Sequence, residues 1–387
     1  MKNYKNLSPN RNYLEALKDL WCEGDTIVAR GKAIKEIRPV CIENKFAIPF
    51  IYIPYRKNNA FFSIFESSFW IPAGRSDVET LALFNSNMIQ FSDDGETFNA
   101  PYGERIRFWG KNDYRAYNPE IVNENPTNVD QLKDVVDKIQ QDNNTRQATM
   151  IIANPHFDNF EYTSQNGKDI ACNIALTFKV RNNKLDITVF NRSNDLIYGA
   201  LGANITQFVT LQNIVAGMLG VEVGTYYQIT DSLHIYTEDF GVKILEKTLP
   251  YALDSHYRVP EYFIKNSPRP KTSYEDTMEI LKRFFEKDFE KIRNCTFFDE
   301  IEYNLPADEY WKNCYLAMLT YFYHKNGEFD KVVEIMTEMS RSYEKMACAI
   351  WLWETEKYGN YDYFISMFDT DFDVRFFRKV IRYDSSR

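Results

Sequence analysis

Residues 172–195 read CNIALTFKVRNNKLDITVFNRSND. Two runs, Asn173 to Arg181 and Lys184 to Asn191, alternate apolar and polar residues, the pattern of half-buried strands. Asn182-Asn183 between them is a two-residue turn signal, because Asn tolerates the left-handed backbone that tight hairpins need. A hairpin brings its two ends together, so Cys172 comes to lie beside Arg192 and Ser193. A neighbouring guanidinium favours the thiolate, which is the nucleophilic form of cysteine. An Arg-Ser pair is also an anion-binding device, and the combination points to a phosphorylated substrate held over a covalent catalyst.

Outward from this hairpin, further residues fall into an ordered series. Glu66 stands in ESSFW and Tyr102 in PYGERIR. Arg146 follows a helical run, Asn204 opens another, and SLHIY supplies His234 and Tyr236. At these positions the chain resembles the thymidylate synthase superfamily, over about residues 25 to 240. The resemblance implies an α/β (α+β) fold, a large mixed sheet flanked by helices and paired sheet-to-sheet in a homodimer. It implies that Cys172 attacks C6 of a pyrimidine nucleoside monophosphate, and that C5 then takes a one-carbon unit from 5,10-methylenetetrahydrofolate. Glu66 is the expected general base, and Tyr102 the expected aid to proton removal at C5. Arg192, Ser193 and Arg30 would hold the 5′-phosphate, with Arg146 reaching in from the second subunit. His234 and Tyr236 would bind the sugar hydroxyl, Asn204 would read the base edge, and Asp195 would meet the pterin of the folate.

Each assignment has a plainer alternative. Cys172 could be a small buried apolar residue, and Tyr102 a packing aromatic. Asn204 is also well placed to cap the helix that follows. A carboxylate inside FFSIFESSFWIP is costly to bury without a partner or a task.

Four departures set the chain apart from a standard synthase. Asn173 follows Cys172 where the synthase has His, Asn194 stands inside the Arg-Ser motif, Ser232 replaces an Asp in SLHIY, and Met88 takes the place of a large indole. RSND and the Ser-Leu-His motif resemble those of phage-type pyrimidine nucleotide hydroxymethylases. A synthase keeps water out until a hydride arrives, whereas a hydroxymethylase admits a water for Glu66 to activate. Hydroxymethylation is therefore the expected reaction, on dUMP ahead of dCMP, with methylation of dUMP as the alternative. A non-catalytic nucleotide-binding protein is the rival from another class.

Composition agrees. The chain has 387 residues and 44% apolar content, enough for two domains with real cores. A net charge of −9 argues against direct nucleic-acid binding. Six cysteines are scattered without paired spacing, as suits reduced thiols in a cytoplasm, and four histidines without paired spacing give no metal site. The opening MKNYKNLSPN lacks the features of a signal peptide, and no apolar run is long enough to span a membrane.

Helices are expected within residues 1–24, from Val129 to Gln140 with an Asn128/Gln131 capping box, and from Ile205 to Leu219 with Gly220 as stop signal. Phe46 to Ile53 reads as a strand, Met150 to Ile152 as a short buried one, and Asn154 to Asp169 as a loop. A linker at Asn266-Ser267-Pro268-Arg269-Pro270 divides a catalytic domain, residues 1–265, from an aromatic-rich helical accessory domain, residues 266–387. In that part, helices are expected over Thr277 to Phe289, Tyr310 to Lys325 and Phe329 to Tyr343.

Overall fold

The computed structural model describes residues 1–110, 128–155, 157–158, 168–238, 241–296, 305–355 and 361–381. The alternating runs form β6 (Asn173–Arg181) and β7 (Lys184–Asn191), paired antiparallel from Asn173↔Asn191 to Arg181↔Lys184. Asn182 and Asn183 both adopt positive φ, 52° and 60°, as a two-residue hairpin turn requires. From Leu176 along β6, and along β7, every second side chain is buried, and an irregularity between Asn173 and Ala175 shifts the register before that. Leu176, Phe178 and Val180 face Leu185, Ile187 and Val189 on the core side.

Around this hairpin a six-stranded sheet is built, in the order β1-β4-β9-β7-β6-β5. Its other members are β1 (Lys2–Tyr4), β4 (Val40–Asn44), β5 (Thr149–Ile151) and β9 (Glu222–Thr230). β7 and β9 run parallel, connected through the helix Ile205–Leu219, which packs back onto both strands. A second, four-stranded sheet has the order β2-β3-β10-β8, formed by β2 (Asp25–Ala29), β3 (Lys32–Ile37), β8 (Asn194–Asp195) and β10 (Leu233–Tyr236). The fold is thus mixed α/β, as expected.

The helix Ile205–Leu219 ends where expected, at Gly220 in the left-handed conformation, φ 65°. The run read as Val129 to Gln140 is helical over Gln131–Gln141, but its cap is Asp130, not Asn128. The Asp130 carboxylate accepts from the Leu132 and Lys133 amides, while the Gln131 amide turns away to the carbonyls of Arg105 and Ile151. Phe46 to Ile53 is not a strand: Ala47 has φ 47°, Pro49 lacks an N–H, and the apolar side chains from Ala47 onward fill the core from irregular backbone while Phe46 stays exposed. Within the segment read as the loop Asn154 to Asp169, residues 156 and 159–167 lie outside the described residues.

Beyond residue 273 the described chain is helical. The helix Tyr274–Arg283 continues through a π turn to Arg293, Glu309–Lys325 is the helix expected over Tyr310 to Lys325, and Tyr343–Thr355 is a further helix outside the expected ones. The helix from Phe329 stops at Glu338 rather than running to Tyr343. These helices share one hydrophobic cluster with the sheet layer, since Phe69, Phe284, Trp311 and Tyr315 pack ring on ring. Among the described residues, no helix is long and apolar enough to cross a membrane.

Candidate active site

Cys172 is half-buried, immediately before β6. The hairpin end is closed by the Arg192 amide, which donates to the Cys172 carbonyl at 3.0 Å. The Arg192 guanidinium is held in place by the carbonyls of Ala171, at 2.9 Å, and Ile170, at 3.2 Å, and this leaves Nη2 3.9 Å from the Cys172 sulfur. Arg192 and Arg30 both draw the thiol pKa down, but burial outweighs them and leaves it raised. The cation is therefore where the hairpin reading put it, and desolvation dominates over it.

Arg30 reaches this region from the β2–β3 hairpin, at whose two-residue turn Arg30 and Gly31 have φ 51° and 75°. Ser193, half-buried, connects Arg192 to β8. Arg146 does not join this cluster within one chain. It is exposed, three residues before the edge strand β5.

Glu66 lies in a π-helical turn, Phe65–Trp70, that continues the helix Ala60–Ile64. It is buried at 8% exposure, and burial pushes its carboxyl up to about 7 against a counteracting hydrogen bond from Gln207. A cavity of about 170 Å³ opens beside it, lined by Glu66, Trp70, Met88, Tyr102, Asp169 and Gln207, among others. Tyr102 opens the helix Tyr102–Arg107. Its hydroxyl accepts from Asn173 Nδ2 at 2.6 Å, and Asn173 is held in turn by Asn191 across the hairpin. Burial and the adjacent Cys172 push the phenol pKa up, so it stays protonated. With Asn173 as donor, the phenolic proton is free to point elsewhere.

The motifs RSND and SLHIY are neighbouring strands. β8 pairs parallel with β10, with Asn194 opposite Leu233 and Asp195 opposite His234, and the Asn194 amide donates to the Ser232 carbonyl at 2.8 Å. His234 is buried, and its Nδ1 has no partner among the described residues. Its ring meets Tyr236 edge-on at 5.3 Å. Asp195 accepts from the Tyr198 amide at 2.6 Å and feels His234 and Arg56, although burial raises its pKa. It is Asp169, not Asp195, that lines the cavity at Glu66. Asn204 does not cap its helix: its backbone is already helical and its side chain bonds no helix N–H. Instead its Oδ1 accepts from Asn194 Nδ2 at 2.6 Å, and its Nδ2 donates to Gln207 Oε1 at 3.0 Å.

Four residues of this region went unremarked or unassigned in the sequence. Gln207 carried a signal, since it lies three residues beyond Asn204 on a helix and so shares its face. Asn173 stood out only as a departure, while Asp169 carried no signal. Arg56 is buried and donates to the carbonyls of Ile197 and Leu201, holding the kinked π-helical segment Leu196–Asn204 that follows RSND.

Comparison with known proteins accords with this geometry. The family model "Thymidylate synthase" matches residues 11–305. The chain belongs to the thymidylate synthase family. Within it, the chain is similar to a protein of Bacillus phage SP01 named "Deoxyuridylate hydroxymethyltransferase", 43% identical over 344 residues, covering 87% of this chain and 84% of the relative. Proteins of the same name from Pseudomonas phage M6 and Delftia phage PhiW-14 are 35% and 29% identical. Those two matches take in 51% and 47% of this chain, and 49% and 47% of the relatives. In this thymidylate synthase-family chain the similarity to the SP01 protein is long enough to enter the helices beyond residue 273.

Proposed function

We propose that the protein hydroxymethylates C5 of deoxyuridylate through a covalent adduct of Cys172. The observation that carries this reading is the buried carboxyl of Glu66, raised to about 7, on a cavity with room for a water and bordered by Met88. The name shared by the phage relatives supports it.

In this reading Arg192, Ser193 and Arg30 bind the 5′-phosphate, and His234 Nδ1, buried and unpartnered, takes a sugar hydroxyl with Tyr236 beside it. Asn204 faces the base edge. Cys172 sulfur bonds to C6, and the electron pair moves to C5. 5,10-Methylenetetrahydrofolate supplies the one-carbon unit that C5 takes up. The residues fit such a donor, since Trp70 and Met88 offer apolar walls for a flat ring and Asp169 a carboxylate for its N–H groups. Asp195 also stays a candidate for that contact, at the head of the π-helical segment it caps through Tyr198. Tyr102 assists loss of the C5 proton, whose electron pair forms the exocyclic C5=CH2 bond as the carbon–nitrogen bond to the carrier breaks and tetrahydrofolate leaves. Glu66 then takes a proton from water as the hydroxide oxygen bonds to the exocyclic methylene carbon, and the Cys172–C6 bond breaks.

The assembly belongs to the same proposal. A homodimer through the half-exposed face of the six-stranded sheet would carry Arg146 into the partner's phosphate site; its exposure at β5 supports this. The division at residue 265, with 266–387 as a helical accessory unit, is part of the proposal too.

Mass spectrometry of products from dUMP, dCMP, UMP and CMP, each with methylenetetrahydrofolate, tests the function. A hydroxymethyl product from dUMP, absent in Cys172→Ser, is expected. A methyl product would make the protein a thymidylate synthase, and turnover by Cys172→Ser would overturn the covalent route. Nucleotide binding without any product would mark a non-catalytic binding protein.

A further inference from the structure

Asn194, Asn204, Gln207 and Glu66 form one buried chain of side chains, with exposures of 3%, 5%, 6% and 8%. Its polarity follows from its last member. The Gln207 hydrogen bond opposes the rise in the Glu66 pKa, as a bond donated to the carboxylate does, so Gln207 turns Nε2 to Glu66. That leaves Gln207 Oε1 toward Asn204, where it accepts from Nδ2 at 3.0 Å. Asn204 Oδ1 must then face the other way, and it accepts from Asn194 Nδ2 at 2.6 Å. Asn194 is itself seated from two sides. Its main-chain amide is bonded to Ser232, and its Oδ1 occupies the space beside Gly199, 2.0 Å from where a Cβ at that position would lie. Any other residue at 199 would collide with it.

An amide has two donor hydrogens and an oxygen with two lone pairs. After its two protein bonds, Asn204 has one hydrogen and one lone pair left, on sides that the chain dictates. Uracil presents N3–H as donor and O4 as acceptor, whereas cytosine presents N3 as acceptor and an amino group as donor. To serve cytosine Asn204 would have to turn over. Its Nδ2 would then face Asn194 Nδ2, and its Oδ1 would face Gln207 Oε1. Two buried contacts would become repulsive.

We propose that Asn194 and Gln207 are specificity-determining positioning residues, which hold the Asn204 amide in the orientation that accepts uracil and refuses cytosine. This rests on Asn204 facing the base, as in the function proposed above. Two mismatched buried contacts correspond to a discrimination of about a hundredfold.

The test is the ratio of dissociation constants for dUMP and dCMP, measured by titration calorimetry on the full chain. Asn194→Asp is isosteric but only accepts, so it draws Asn204 Nδ2 toward itself and turns the amide. Weaker dUMP binding together with stronger dCMP binding is expected, the ratio moving by about a hundredfold. Gln207→Leu cuts the link to Glu66, and the ratio should move about tenfold toward equality. A purely structural role would weaken both nucleotides alike and leave the ratio in place. Asn204→Asp serves as the reference. If it moves the ratio while Asn194→Asp and Gln207→Leu leave it within about twofold, the positioning proposal is overturned and the base-reading role of Asn204 survives. If Asn204→Asp also leaves the ratio unmoved, Asn204 does not face the base and both readings fall.

Discussion

Arg192 Nη2 stands 3.9 Å from the Cys172 sulfur, on a guanidinium already held by the carbonyls of Ala171 and Ile170. The cation is rigidly placed, so its effect on the thiol does not depend on a bound ligand. Burial nevertheless leaves the thiol pKa raised. Removing the cation as well should raise it further. Arg192→Met is expected to slow alkylation of Cys172 by iodoacetamide at pH 8 by about tenfold, one unit of pKa. Peptide mass spectrometry separates this site from the exposed Cys22. An unchanged rate would mean that Arg192 serves the phosphate alone.

Glu66 gives a prediction with opposite signs for stability and activity. Its carboxyl titrates at about 7 when folded, against 4.5 without burial. Between those values the folded protein holds a proton that the unfolded chain has released. Stability therefore falls as pH rises from about 4.5 to about 7, and the loss is complete above that range. Glu66→Gln should stabilise the protein by about 3 kcal/mol at pH 8 and by much less at pH 5, read from denaturant midpoints. Turnover should fall by roughly a hundredfold or more above pH 7, and the gap should narrow below it as the wild-type carboxyl takes up its proton. In the wild type, activity should decline as pH drops through about 7. Equal stabilisation at both pH values would contradict a buried, late-titrating carboxyl.

Much of this was legible because local chemistry decides it. Asn182-Asn183 made a hairpin turn since both residues tolerate φ near 50–60°, and Gly220 ended its helix for the same reason. Where tertiary context decides, sequence failed. Phe46 to Ile53 has the composition of a strand, yet Ala47 and Pro49 break the ladder and the segment fills the core as irregular chain. Asn128 and Asp130 are both good caps, and the one that also meets Arg107 was selected. Cys172, Arg192 and Glu66 stood out by type and setting. The amide chain through Gln207 did not, because its members come from a strand, a helix and a π turn that meet only in the fold.

The helices after residue 273 bear on Glu66 through packing. Phe69, three residues beyond Glu66 in the same π turn, stacks on Phe284 with centroids 3.8 Å apart and planes 12° apart. Ser68 Oγ lies 2.8 Å from the Tyr310 hydroxyl. Phe284→Ala should cost about 3–5 kcal/mol in chemical denaturation, since a fully buried ring leaves a cavity between two elements. A chain ending at residue 265 should aggregate, because it would bare Phe65 and Phe69. A soluble, active truncation would show that the helices are dispensable to the catalytic part.

Met88 borders the cavity at Glu66 and is half-buried, with a flexible side chain that leaves room for water. A water has to reach the exocyclic carbon for a hydroxymethyl product, and the cavity of about 170 Å³ is where it would pass. Met88→Trp should fill much of that space. Formation of hydroxymethyl nucleotide should drop by about tenfold or more while dUMP affinity, which the proposed function assigns to the arginines and Asn204, changes little. Product mass spectrometry and calorimetry read the two effects separately. Met88→Leu, which keeps volume and polarity, should behave like the wild type. Loss of dUMP binding in Met88→Trp would place the nucleotide, rather than the water, against this wall.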